Sequence, residues 1–180
     1  MNLSNSQKKI VSNVAWSLGG KAVNMASALF VGILVARYLG PESYGLMNYV
    51  ISYVAIFSII ATFGMDNIEI RELSRQNDKK DAIMGTCFCL RMFFATIAYI
   101  VIAISLFYFQ TDKFTSLMVL AYGLTLFTGT GNLLRNYFTS IVQNKYIVKS
   151  EMYRTFVGAG IKILLLWIKA PLEYFIYAQI

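Results

Sequence analysis

The sequence predicts an all-α fold, a polytopic transmembrane helix bundle, and three observations carry that prediction. The chain of 180 residues is 57% hydrophobic and 14% charged, with a mean hydropathy of +0.57. Soluble domains carry about 25% charged residues, so this balance belongs to integral membrane proteins. Apolar runs near the ~20 residues that cross a hydrocarbon core of about 30 Å recur along the chain. The cations lie mostly in the links between those runs. Membrane topology produces that arrangement better than a nucleic-acid groove does, despite the net charge of +7. Five complete spans and the start of a sixth are expected, in a single membrane domain, 1–180, that opens with a polar lead, 1–12.

Segment one is Val14 to Ala36, with Trp16 near its start as an interfacial anchor. A lysine near a helix centre costs on the order of 2.5–3.5 kcal/mol on insertion scales, so Lys21, part-way in, needs a reason. Gly20, Asn24, Ala28, Gly32 and Ala36 recur every fourth residue. Small and amide side chains in such a row let membrane helices approach closely. Lys21 lies beside the row and is expected to point into the bundle. The run is not read as a cleaved signal peptide, because Lys21 and Asn24 interrupt an apolar region that is also too long.

A tight link, 37–44, follows, punctuated by Gly40-Pro41. Segment two runs from Tyr44 to Phe63. The charged stretch Asp66 to Asp81 reads as an amphipathic or short helical element at the membrane surface. Segment three, Gly85 to Tyr108, carries Arg91 inside it, and a short turn, 110–113, leads to segment four, Ser116 to Leu134. Its second half, Thr125 to Asn132, is crowded with Thr and Gly and predicts a bend. Residues 135–150 are polar and basic. Segment five, Met152 to Ile168, ends at Ala170-Pro171, and a last apolar run starts at Leu172. Nine residues are too few to cross a bilayer, so the sequence reads as a partial product holding the first part of a larger bundle.

Orientation follows from the cations. Lys8, Lys9, Arg71, Arg75, Lys79, Lys80, Arg135, Lys145 and Lys149 fall on one side, and Arg37, Lys113 and Lys169 on the other. That bias predicts a cytoplasmic N-terminus.

The absence of histidine removes His-based acid–base and triad chemistry and His metal sites. Cys87 and Cys89 turn to different helix faces and have no second pair, so no metal site is read, and no cofactor or catalytic residue is expected. No Gly-x-x-x-x-Gly-Lys loop is present to hold ATP. The cations inside alternate segments carry the functional reading: Lys21 and Arg91, each about 10 Å deep by helical rise, Arg154 near the mouth of segment five, and Lys162 close to its middle. Cys87, Arg91, Ala95 and Ala98 share a face, as do Arg154, Gly158 and Lys162. A water-filled positive cavity that binds an anionic, diphosphate-bearing substrate is expected from them. Snorkelling, or pairing with Asp66, Glu69 or Glu151, is the alternative for each. Asp66 and Glu69 are candidates for proton or cation coupling, or simply solvated loop charges.

The run Asn13-Val-Ala-Trp16 through Ala36-Arg37-Tyr38-Leu39-Gly40-Pro41-Glu42-Ser43-Tyr44-Gly45 resembles the opening of the Wzx-type polysaccharide flippases. Phe63-Gly64-Met65-Asp66, Arg71-Glu72-Leu73 and Gly85 through Leu90-Arg91 extend the likeness, which covers essentially the whole chain. These transporters belong to the multidrug/oligosaccharidyl-lipid/polysaccharide exporter superfamily. The resemblance implies the first lobe of a two-lobe transporter with no enzymatic activity. It would move an undecaprenyl-diphosphate-linked oligosaccharide across the bacterial inner membrane by alternating access, for O-antigen or capsule-type polysaccharide. Partners implied are that lipid-linked oligosaccharide, membrane lipids, a polysaccharide polymerase and a chain-length regulator, with no nucleic acid. Arg37, Gly40, Pro41, Gly45, Arg71, Glu72 and Arg91 match the family pattern. Gly40, Pro41 and Gly45 are read as turn-makers, and Arg37 as an interfacial anchor or a gate. Other readings are a drug or cation exporter of the superfamily, an envelope-glycan enzyme, and a non-transporting membrane subunit.

Overall fold

The computed structural model describes the backbone of residues 5–75, 79–109, 112–141 and 144–179, with side chains from 18 in the first stretch and from 146 in the last. The expected roles of Lys8, Lys9, Trp16 and Lys145 lie outside the described side chains. Among the described residues the regular elements are all helices. The elements are α1 (Asn5–Thr62), α2 (Met65–Arg75), α3 (Lys80–Tyr108), α4 (Lys113–Gly123), α5 (Thr125–Thr128), a 3₁₀ turn (Gly129–Gly131), α6 (Asn132–Ser140), α7 (Asn144–Trp167) and α8 (Leu172–Tyr177).

α1 is two helices joined at an elbow. Gly40 has φ 73° and ψ 173°, a region open in practice only to glycine. Pro41 follows as the first residue of the second arm, where its fixed φ suits a helix start and its missing N–H is no loss. Tyr38 donates its hydroxyl to the Ala170 carbonyl at 3.2 Å and packs its ring 5.8 Å from Phe175, which fastens the elbow to the far end of α7 and to α8. Gly45 turns nothing. It sits inside the second arm with open space where a Cβ would be, so its turn-making role is corrected. A turn that the sequence pattern does not mark lies at Phe63-Gly64, both at positive φ, where α1 gives way to α2.

Core positions follow helical spacing. Met47, Val50, Val54 and Ala61 line one face of the second arm, and Arg91, Ala95, Ala98, Ile102 and Leu106 line one face of α3. These stripes meet in antiparallel fashion: the Tyr53 hydroxyl lies 2.8 Å from Ser105 Oγ, and the Phe63 and Phe94 rings stack at 4.5 Å. The first arm runs parallel to α7. A Cβ on Gly20 would come within 2.5 Å of Val148, and Thr155 donates to Asn24 at 2.7 Å. The expected small-residue row therefore packs at Gly20 and Asn24, while Gly32 has open space around it.

Where a bend is expected, the regular α-winding is interrupted while the backbone stays helical. α4 stops at Gly123, a single turn and a 3₁₀ segment follow, and α6 resumes at Asn132. Thr125, Thr128 and Thr130 each donate to the carbonyl three residues back, at 2.7–2.9 Å, which holds the stretch in a tighter winding. α7 ends in a Schellman motif: Lys169 takes φ 56°, its N–H bonds Leu166 O, and the Ala170 N–H bonds Leu165 O. Pro171 then prevents continuation.

Among the described residues, three stretches are long and apolar enough to cross a membrane: Leu18–Arg75, Lys80–Tyr108 and Lys113–Ser140. The first contains the second expected span and, from Leu18 onward, the first, on either side of the elbow. α7, expected as the fifth, is not among the three, since Glu151, Arg154 and Lys162 interrupt its apolar part.

Candidate functional site

α2, α3, α6 and the start of α7 gather at one end of the bundle, and two charged constellations form there. α2 is amphipathic, as expected of the charged stretch, and buries Met65, Glu69 and Leu73 while Arg71 and Arg75 face outward. The spacing of Asp66 and Glu69 turns both carboxylates toward α3 and α6. Arg91 on α3 meets them. Its Nε donates to Glu69 Oε1 at 2.7 Å, and its Nη2 donates to Glu69 Oε2 at 2.8 Å and also to Asp66 Oδ1. Asn136 on α6 donates Nδ2 to Glu69 Oε2 at 2.6 Å and to Asp66 Oδ1 at 3.0 Å. Glu69 is 1% exposed and Arg91 2%.

Every one of these bonds runs from a donor on α3 or α6 to a carboxylate on α2. The network is therefore a clamp that holds α2 against the two other helices. An Arg–carboxylate fork of this kind fixes geometry more firmly than a point charge would. Arg91, expected as a cavity cation, is placed in the alternative arrangement, paired with Asp66 and Glu69. Glu69 is not the solvated loop charge that the sequence allowed, since α2 turns it inward. Asn136 was missed. Nothing in its neighbourhood marks it, and only the i, i+3 spacing of Asp66 and Glu69 hinted that a donor face lay opposite.

The second constellation lies on the other side of α6. A cleft of about 380 Å³ opens between α6 and α7, lined among others by Asn132, Arg135, Phe138, Tyr146, Glu151 and Arg154. Arg135 Nε sits 3.4 Å from Glu151 Oε1, with both side chains partly exposed. Arg154, one turn beyond Glu151, has no ion-pair partner among the described residues. The Phe138 and Tyr146 rings lie 6.3 Å apart.

The remaining predicted residues are dispersed. Lys21 is exposed, because Gly20 faces α7 and the next residue turns about 100° away. Lys162 is half-buried and donates to Gln179 Oε1 at 3.0 Å, toward the opposite end of the bundle. Arg37 is exposed just before the elbow. A second cavity of about 300 Å³, between the second arm and α4–α5, is lined by none of these cations. Of the four proposed cavity cations, only Arg154 lines a described cavity.

No curated protein and no solved structure matches this chain. The profile of the family described as polysaccharide biosynthesis protein matches residues 10–180, nearly the whole sequence. Proteins of that family are generally transporters rather than enzymes. The match and the three long apolar helices together identify the chain as a membrane protein that belongs to the polysaccharide biosynthesis protein family.

Proposed function

We propose that this chain supplies a lobe of a Wzx-type flippase that carries an undecaprenyl-diphosphate-linked oligosaccharide across the bacterial inner membrane. The observation that carries the reading is the family match over residues 10–180, falling on a helical bundle able to cross a membrane. Alternating access would expose cations first to one side and then to the other, with the N-terminus in the cytoplasm. Arg154, Lys21 and Lys162 are the headgroup contacts in this reading, and Arg37, Asp66 and Glu69 are its gate or coupling residues. The glycan product would be O-antigen, lipopolysaccharide or capsule, made with a polymerase and a chain-length regulator.

An exporter of drugs or cations would need a carboxylate free to bind its cargo. Glu69 is buried enough for that role, but Arg91 and Asn136 occupy both its oxygens. The flippase reading is tested by expressing the full-length protein in cells lacking their own polysaccharide flippase and measuring surface glycan. Restored glycan, lowered by Lys21→Gln, Arg154→Gln or Lys162→Gln at normal protein levels, supports it. Failure to restore any glycan from a well-expressed protein would remove it.

A further inference from the structure

We infer that the cleft between α6 and α7 is a binding site for a diphosphate group, in which Arg154 is the standing anchor and Arg135 is a second cation held in reserve by Glu151. The inference rests on the flippase reading for the identity of its ligand but not for its location.

The location comes from geometry. α7 presents Ile147, Ser150, Glu151 and Arg154 along one face, at the spacing that stacks side chains over successive turns. α6 presents Arg135 and Phe138 opposite, while its Leu133 and Asn136 are buried on the other side. The cleft thus has two guanidinium groups and one carboxylate. Arg135 and Glu151 answer each other at 3.4 Å, and the charge of Arg154 is left over. A diphosphate offers several acceptor oxygens and can take bidentate bonds from more than one guanidinium. The Ser150 hydroxyl on α7 and the Asn132 amide on α6 supply further donors, one on each wall. The ring pair Phe138–Tyr146 forms an apolar flank against which a chain or a sugar ring can lie.

Glu151 makes the site graded rather than fixed. While the cleft is empty, Glu151 neutralises Arg135. An incoming diphosphate competes for that guanidinium, and its gain is reduced by what the Arg135–Glu151 pair was worth. Removing Glu151 therefore should improve binding. A purely structural ion pair predicts no such gain.

The test is titration of the purified full chain in detergent with farnesyl diphosphate, farnesol and inorganic pyrophosphate, followed by calorimetry. Farnesyl diphosphate should bind at least about tenfold more tightly than farnesol, as two charge-assisted contacts imply. Pyrophosphate competing against it as well as unlabelled farnesyl diphosphate would mean a free phosphate site. Weak competition would mean a lipid-borne headgroup. Either outcome keeps the diphosphate chemistry. Arg154→Gln should weaken binding about tenfold, with Arg154→Lys in between, and Glu151→Gln should tighten it about three- to tenfold. Lys113→Gln, on an exposed lysine at the opposite end, should change nothing.

Equal affinity for farnesol and farnesyl diphosphate overturns the inference, as does unchanged affinity in Arg154→Gln with an unchanged unfolding midpoint. A weaker or unaltered Glu151→Gln overturns the reserve role of Arg135. Glycan export separates these failures from failure of the flippase reading, because export that survives a dead cleft places the headgroup elsewhere in the same transporter.

Discussion

Arg135 and Asn136 are adjacent in sequence and serve opposite constellations. Asn136 turns inward to a network in which one guanidinium and one amide meet two carboxylates, all but Asp66 withdrawn from solvent. Arg135 turns outward to a cleft that holds two guanidiniums and one carboxylate, and both members of its ion pair are partly exposed. The first has more acid than base. The second has, among the described residues, more base than acid and a cation without an ion-pair partner. Burial explains the difference. A buried ion is tolerated only when its bonds are met on every side, whereas an exposed one is stabilised by water and can exchange partners. Inside the bundle, charge therefore serves to hold α2 in place. In the cleft, it remains free to bind.

The largest expected effect breaks the inner constellation. Arg91→Leu leaves Glu69 buried without its main partner, a situation that costs about 3–5 kcal/mol in comparable buried pairs. A drop of that size in stability, read as a lowered unfolding midpoint in detergent, is the expected result. Adding Glu69→Leu should recover most of the loss, because the uncompensated charge leaves with it. If Arg91→Leu is as stable as the parent, the clamp is not what holds α2.

Next in size is the amide. Asn136→Leu removes two donors from the carboxylates but leaves Arg91 in place, so a loss of about 1–3 kcal/mol is expected from the unmet acceptor capacity. Because Asp66 is half exposed, water can replace one of the lost bonds, which keeps this below the Arg91 effect. An Asn136→Leu loss as large as that of Arg91→Leu would mean that the amide, not the guanidinium, organises the network.

The elbow supplies a comparison of the same kind between two glycines in one motif. Gly40→Ala places a Cβ at φ 73°, ψ 173° and should cost on the order of 1–3 kcal/mol. Gly45→Ala, inside a helix with open space around it, should be neutral or gain about 0.5–1 kcal/mol, measured in the same unfolding assay. Both belong to the pattern Ala-Arg-Tyr-Leu-Gly-Pro…Tyr-Gly, and sequence alone gave them the same role.

That pair shows how much of the molecule could be read in advance. Long-range patterning was legible: apolar runs marked the helices, the stripe through Arg91, Ala95 and Ala98 marked the buried face of α3, and the Thr/Gly cluster marked where the α-winding is interrupted. These follow from local periodicity and composition, which a single chain carries openly. Partner choice was not legible in the same way. Arg91 lies 22 residues from Glu69, Asn136 lies 67 from it, and nothing in either stretch says which of two arginines on adjacent surfaces will be neutralised. Lys21, expected to point into the bundle, does not do so, and for a smaller reason. Gly20 took the contact with α7, and one residue of rotation moved the lysine to the outside.

The smallest expected effect is the sharpest test of the contrast between the two sides of α6. Arg135→Gln removes an ion pair whose members are both reachable by water, and exposed pairs contribute about 0–1 kcal/mol. The unfolding midpoint of the full chain should barely move, and raising the salt concentration should leave the variant and the parent closer still, since screening weakens what little the pair supplies. The inner clamp should respond differently to salt, because counterions do not reach Glu69. Parent and Arg91→Leu should therefore stay apart at high salt while parent and Arg135→Gln converge. If both differences shrink together, solvent reaches the two constellations alike, and the division between a structural charge and an available one does not hold.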